Sequence, residues 1–375
     1  MKPKTILTAG PSITDKEINY VLDAAQNGWN SNWDGYLTRF EKSFADYVGT
    51  RYALATSSCT GALHLSLLGL GVGPGDEVIV PEISWVATAS AVKYCGAEPV
   101  FVDIEADTWC MNVDLARKAI TKRTKVIVPV HIYGHPTNMT KVTALAAAHG
   151  LKVMEDAAPA LGGEVCGRKV GGLGDVSCFS FQGAKIMTTG EGGMLVCNDE
   201  ALFERIHFLW DHGRDKYIPF QISEVGYKYK MSNLQAAMGL GQLERIEELV
   251  GQKRVIYSWY KERLGDMPEF TLNAEAPWAR SIYWMTSIVL NDKSRVGRNE
   301  VIKGLKERGV DSRPFFPPMS SFPMFKSCEV QNPVAYRVSK NGVNLPSGHN
   351  LTEEDVERVC TALKEVLSSR GLLAA

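Results

Sequence analysis

The sequence predicts an α/β protein: a mainly parallel sheet sandwiched by helices, followed by a smaller C-terminal α+β domain. Two observations carry this. From about Tyr52 to Cys197, short runs rich in β-branched residues alternate with amphipathic helical patterns. Buried strands linked through helices require right-handed crossovers and a sheet covered on both faces. After about residue 250 that rhythm stops, and strands, helices and a proline-rich turn follow in irregular order. The 375 residues leave room for a large domain over 1–250, opening with an N-terminal helical segment, and a small one over 251–375.

The elements follow in order. Tyr52–Ala55 reads as a strand and the apolar Leu63–Leu70 as a helix. EVIVP (Glu77–Pro81) is a strand, Val86–Cys95 a helix and Pro99–Val102 a strand. Leu115–Thr121 is a helix, VIVPV (Val126–Val130) a strand, Val142–His149 a helix and Leu151–Met154 a strand, with Gly150 as the helix stop. A long helix starts at Ser232, where SNLQ offers a capping box of Ser232 and Gln235. It places Leu234, Met238, Leu243, Ile246 and Val250 on one side and runs on past Gly251. The C-terminal part predicts a strand over Ile282–Leu290, a helix over Asn299–Arg308, a turn at RPFFPPM and a final helix Glu353–Leu367 with solvated charged faces.

Composition narrows the function. A net charge of -1 and a pI near 6.7 argue against a nucleic-acid or anionic-membrane surface. No apolar run approaches the roughly 18 residues that span a bilayer. The start, MKPKTILTAGPSITDKE, lacks the apolar core of a signal peptide, so the expected location is cytoplasmic. Eight scattered cysteines (Cys59, Cys95, Cys110, Cys166, Cys178, Cys197, Cys328, Cys360) form no CxxC pair, which speaks for buried thiols rather than zinc or iron–sulfur ligation.

Ligands of parallel α/β sheets sit at the carboxyl ends of strands, and four candidates lie there. Asp156, in EDAA, follows a strand beside small residues; it can reach into a crevice or simply cap the next turn. Thr56–Ala62 (TSSCTGA) precedes an apolar helix, so it can offer amides to an anion or serve as an ordinary N-cap. Trp85 can stack on a flat ring or belong to the core. Lys185 is the one charged residue between Val176 and Gly190, with GEGG close behind; desolvation there would free its amine as a nucleophile. His131 and His135 lack the spacing of a helical metal site and suit turn and core roles. His349 suits a surface loop or a substrate contact. An anion cradle, an aromatic plate, a carboxylate and an imine-forming lysine are the four parts that pyridoxal phosphate requires.

Longer motifs extend this. GPGDEVIVP (73–81), Trp85-Val86-Ala87, GAEPVFVDI (96–104), PVHIYGHP (129–136), EDAAPALG (155–162), GDVSCFSFQGAKIMTTGEGGM (174–194), GYKYKMSNLQAAMGLGQLER (226–245), SRPFFPPM (312–319) and NLP (344–346) appear in this order across nearly the whole chain. In these the sequence resembles the DegT/DnrJ/EryC1/StrS family of pyridoxal phosphate-dependent sugar aminotransferases, and within it the perosamine-synthase group. The resemblance implies the fold-type-I architecture and a homodimer whose sites are completed by the neighbouring subunit. It implies Lys185 as the imine-forming lysine and proton shuttle, Asp156 on the pyridinium nitrogen and Trp85 on the ring. It also implies Cys59, Thr60 and Ser180 on the phosphate, with Lys228 reaching that phosphate from the neighbour.

Two departures bear on substrate. Lys228 and Lys230 stand where many members have Asn and Arg, and Pro159 where many carry Glu, Gln or His. The implied reaction moves an amino group from glutamate to a nucleotide-linked 4-keto-6-deoxyhexose, giving a 4-amino sugar. The alternatives are a 3-keto sugar, a keto-cyclitol or a sugar without a nucleotide. A further alternative is a non-catalytic regulator that binds the cofactor.

Overall fold

A computed structural model describes residues 5–325 and 332–368; Cys328 lies outside them. Seven strands form the main sheet: β1 (Tyr52–Thr56), β2 (Glu77–Pro81), β3 (Glu98–Val102), β4 (Thr124–Ile127), β5 (Lys152–Asp156), β6 (Val176–Ser180) and β7 (Gly193–Cys197). Their spatial order is β1-β7-β6-β5-β4-β2-β3. The five strands from β6 to β3 run parallel, while β7 is antiparallel to both β6 and β1.

Burial on both faces explains why the strands read as continuous apolar runs. Val78 and Val80 pack into one core with Met154, Leu195 and the helices Cys59–Gly69 and Glu200–Trp210. Ile79, Val153 and Met194 point the other way, against Gly35–Val48, Met139–His149 and Asn233–Leu243. That alternation is the two-residue period of a strand.

A second sheet of four antiparallel strands follows: β8 (Phe270–Leu272), β9 (Ser287–Leu290), β10 (Arg313–Pro314) and β11 (Gly342–Asn344), ordered β8-β9-β11-β10. Ile256, Tyr260, Ile288, Val301, Val343, Val359 and Leu363 form its core, under the helices Ile246–Leu264, Arg298–Glu307 and Glu353–Ser368. Ile6 joins this layer through a bridge to Val310.

Carboxylates beyond β2 and β3 tie the layers together. Glu82 accepts from the Ser320 amide (2.8 Å) and the Asn332 side chain (2.5 Å). Asp103 accepts from the Val334 and Ala335 amides (2.9 and 2.8 Å), at the start of the helix Pro333–Asn341.

Three expectations change. The helix from Ser232 keeps its capping box but is two helices, interrupted at Glu244 and Arg245, where Arg245 turns its guanidinium onto buried Glu17 at 2.8 Å. The strand over Ile282–Leu290 is confined to β9, because Tyr283 takes a φ of +48° and breaks the extended run. His349 is neither exposed nor on the cavity described below. It is 3% exposed, both ring nitrogens lack hydrogen-bond partners, and burial beside Lys253 pulls its pKa down to about 3.

Candidate active site

The ends of β1, β7 and β6 lie level, with Thr56, Gly193 and Ser180 in register. The chain leaves β1 and starts the next helix at once, with the Ser58 hydroxyl accepting from the Gly61 amide at 3.1 Å. Residue 193 must be glycine: a Cβ there would sit 2.6 Å from the Cys59 nitrogen. The N-cap role falls to Ser58. Cys59 and Thr60 occupy the first helical turn, whose amides have no intrahelical acceptor, and with Ser58 and Ser180 they line a cavity of about 510 Å³.

Asp156, the last residue of β5, lies on the same cavity. Thr88 donates its hydroxyl to Oδ2 at 2.7 Å, and the Ala158 amide donates to Oδ1 at 3.2 Å. The turn-capping reading and the crevice reading therefore both describe this residue. Burial pushes its carboxyl above the ordinary range, an effect that Thr88, the Ala158 amide and nearby Lys185 only partly offset. Preceding Glu155 points into the interior and accepts from His131 Nε2, the amides of Gly171, Leu173 and Gly174, and Ser177.

Lys185 rides on the loop between β6 and β7. Burial draws its pKa down to about 8, against the opposing influence of Cys59 and Asp156. Its Nζ stands 3.9 Å from the centroid of the Trp284 ring. The Trp284 indole also donates to the Ala184 carbonyl at 2.7 Å.

Trp85 is 61% exposed and lines the cavity, so it is not a core tryptophan. Its ring faces Phe316 at 5.9 Å, and Phe316 stacks on Tyr133 at 5.3 Å. Pro159, Gln182, Glu191, Arg313 and Asn344 complete the polar and apolar rim. Lys228 is exposed and does not line this cavity. Lys230 sits between the rings of Trp33 and Trp210, at 4.2 and 4.5 Å.

The two histidines of PVHIYGHP have turn and core roles. The Thr137 amide donates to His131 Nδ1 (3.0 Å), leaving Nε2 as the N–H that donates to Glu155. His135 Nδ1 meets the Pro136 carbonyl at 2.7 Å, and its Nε2 accepts from the Ala276 amide at 3.1 Å. Of the described cysteines, Cys166 is exposed and the others are buried.

Sequence reasoning missed Thr88, Tyr133, Trp284 and Phe316. Thr88 had a usable signal, standing one helical turn after Trp85. The three aromatics had none, since an aromatic on a strand or turn reads as core.

The profile of the DegT/DnrJ/EryC1/StrS aminotransferase family matches residues 11–364. The chain belongs to that family. The aminotransferase is 40% identical over 364 residues to the GDP-perosamine synthase of Caulobacter vibrioides, covering 96% of this chain and 98% of that protein. It is 38% identical over 360 residues to the GDP-perosamine synthase of Escherichia coli O157:H7, covering 96% and 98%. In three dimensions it is similar to Spr1654 of Streptococcus pneumoniae, solved in PLP and PMP forms, with a TM-score of 0.90, 29% identity, and 97% and 98% of the two chains covered. The protein is an enzyme that uses pyridoxal phosphate. No helix among the described residues is long and apolar enough to cross a membrane.

Proposed function

We propose that this aminotransferase transfers an amino group from glutamate to a nucleotide-linked 4-keto-6-deoxyhexose. The observation that carries the proposal is the convergence of Lys185, Asp156, Trp85 and the Cys59 helix start on one cavity, in a chain similar over almost its full length to GDP-perosamine synthases.

The residues present fit the cofactor. The first-turn amides at Cys59 and Thr60, with the Thr60 and Ser180 hydroxyls, suit a phosphate dianion at a helix N-terminus. The bare backbone at Gly193 keeps that cradle open. Asp156 would hold the ring nitrogen, Trp85 would cover a ring face and Lys185 would hold the aldehyde carbon. Bound there, pyridoxal phosphate supplies an aldehyde that links to amines and a ring that accommodates an electron pair.

The chain's own residues do the rest. Thr88 and the Ala158 amide fix the orientation of the Asp156 carboxylate, so its charge can keep a proton on a ring nitrogen beside it. With a pKa of about 8, Lys185 Nζ exists in both protonation states near neutral pH, as a group that both takes up and returns a proton must. Trp85, Phe316 and Tyr133 give that side of the cavity an apolar, aromatic lining.

We also place a second copy of the chain beside the cavity. Lys228 follows an exposed segment in which Tyr217, Phe220 and Val225 are 85%, 97% and 84% exposed, an apolar surface suited to an identical partner. Lys228 would then reach the partner's phosphate site. Sedimentation at twice the monomer mass is expected, and a monomer would exclude this arrangement. A cytoplasmic location suits such a biosynthetic activity.

A second acceptor class is favoured by one feature. Pro159 lines the cavity without a side-chain donor or acceptor, which suits a 3-keto sugar, a keto-cyclitol or a non-nucleotide sugar. The deciding experiment is the visible spectrum of the purified enzyme with L-glutamate, then with a panel of keto-sugars. Loss of the yellow band with glutamate, and its return only with the nucleotide-linked 4-keto sugar, is the expected result. Recovery with another acceptor would select the second class. Replacing Lys185 with Ala should abolish turnover, and near-wild-type steady-state activity in that variant would refute the mechanism.

A further inference from the structure

The loop that carries Lys185 is held mostly by itself. The Lys185 amide donates to the Gln182 carbonyl at 2.8 Å, the Ala184 amide to the Gln182 side chain at 2.9 Å, and the Thr189 amide to the Phe181 carbonyl at 2.9 Å. At the lysine's own peptide the external donor is the Trp284 indole N–H, received by the Ala184 carbonyl at 2.7 Å. The ring of that same residue lies under the ammonium, 3.9 Å from Nζ to the centroid.

Trp284 cannot easily move away. It is 5% exposed and lies 6.2 Å from Tyr133 in a stack tilted by 26°. Its carbonyl accepts from Lys253 Nζ at 3.3 Å. Lys253 is itself buried, on the helix Ile246–Leu264, and also bonds the Ser347 carbonyl. Trp284 and Ala184 are 100 residues apart in sequence, so a brace from the second sheet's side meets the lysine loop of the first.

Resting on the reading of Lys185 as the imine-forming lysine, we infer that Trp284 is its positioning residue, carrying the lysine's ammonium on the indole face and fixing its loop through the indole N–H. The chemistry gives this a purpose. Whenever its nitrogen is not in the imine, Lys185 must pass between neutral amine and ammonium. Nζ makes no ion pair among the described residues, and Cys59 and Asp156 act on it through space; Glu191 and Arg313 line the same cavity. A ring face stabilises the ammonium and leaves the neutral amine unaffected. Trp284 therefore raises the basicity that burial lowers.

The test uses the full-length chain freed of cofactor. The rate at which the band of added pyridoxal phosphate shifts to the longer-wavelength imine band is followed against pH in wild type, Trp284→Phe and Trp284→Leu. Only neutral Lys185 attacks the aldehyde, so the midpoint of the rate profile follows its pKa, and comparison across variants cancels the cofactor's own titration. The expected midpoint falls by about one pH unit in Trp284→Leu and by less in Trp284→Phe, which keeps a ring face. Phe also keeps most of the volume, so the comparison survives if Leu does not fold. Circular dichroism and melting temperature verify that each variant is folded. An unchanged midpoint in a folded variant, or a rise, overturns the inference and leaves the Lys185 reading intact. Absence of that shift in wild type would overturn both.

Discussion

Glu155 and Asp156 are adjacent carboxylates on the last two positions of one strand, and they have opposite chemistry. Strand alternation sends them to opposite faces. Glu155 meets five donors. Burial alone would raise its pKa, but His131 and the Gly171 and Leu173 amides outweigh it and hold the carboxyl below the ordinary range. Asp156 meets two donors, and burial wins. The number of donors decides whether a buried carboxylate stabilises the fold or is left partly unsatisfied for a ligand. One stabilises the chain and the other is available for chemistry.

Breaking Asp156 should give the largest effect. Asp156→Asn is expected to slow the glutamate half-reaction at least about 100-fold, measured by single-turnover absorbance. Chemical denaturation of the cofactor-free chain should show equal or slightly greater stability. The sign follows from the shift. A carboxyl whose folded pKa is raised costs stability at neutral pH, and that cost fades as pH falls through the folded value.

Glu155→Gln should do the reverse. It places an amide N–H among donors and is expected to cost about 3 kcal/mol in urea unfolding, with near-normal half-reaction rates in the protein that remains folded. Because the folded pKa of Glu155 is lowered, its stabilisation is complete above the ordinary carboxylate range and is lost as pH falls through the folded value. The variant should therefore show a flatter loss of stability in acid. Equal acid slopes in variant and wild type would contradict the comparison.

The smallest effect sharpens it. Thr88→Val removes one of the two donors to Asp156 and should slow the half-reaction about tenfold while raising the carboxyl's pKa further. A normal rate would mean that Thr88 does not orient it.

Much of this architecture was legible because a local rule determined it. EVIVP is buried on both faces and appears as an unbroken apolar run. Gly150 takes a φ of +67° at the helix end, where the sequence expects a stop. Asp156, Trp85 and the Cys59–Thr60 segment stood out by position after strands, Lys185 as a lone charge and Ser180 through the family resemblance, and all six share one cavity. What could not be read was set by distant partners. The glycines at 239 and 241 lie within the expected helix, and the close packing they serve is set by residues outside it. A Cβ at 239 would meet the Phe40 ring at 2.7 Å, and one at 241 would meet Glu17 at 3.1 Å. The actual break lies at Glu244–Arg245, where a salt bridge to Glu17, 228 residues away, sets the chain's course. His349 looked like a loop residue because nothing in its own neighbourhood shows that helix Ile246–Leu264 covers it; Gln252 of that helix bonds its carbonyl.

The acids at Glu82 and Asp103 have a consequence for assembly. Their donors lie between 231 and 250 residues further along the chain. A nascent chain that has finished the first sheet still holds Glu82 without its Ser320 and Asn332 donors, and Asp103 with the neighbouring Ile104 amide but without those of Val334 and Ala335. Closing such long loops is entropically slow, so the edge near β2 and β3 matures last, after the C-terminal third has been synthesised. A fragment cut after residue 250 would carry that unfinished rim permanently, so the rim of the first sheet depends for its completion on the segment 320–335.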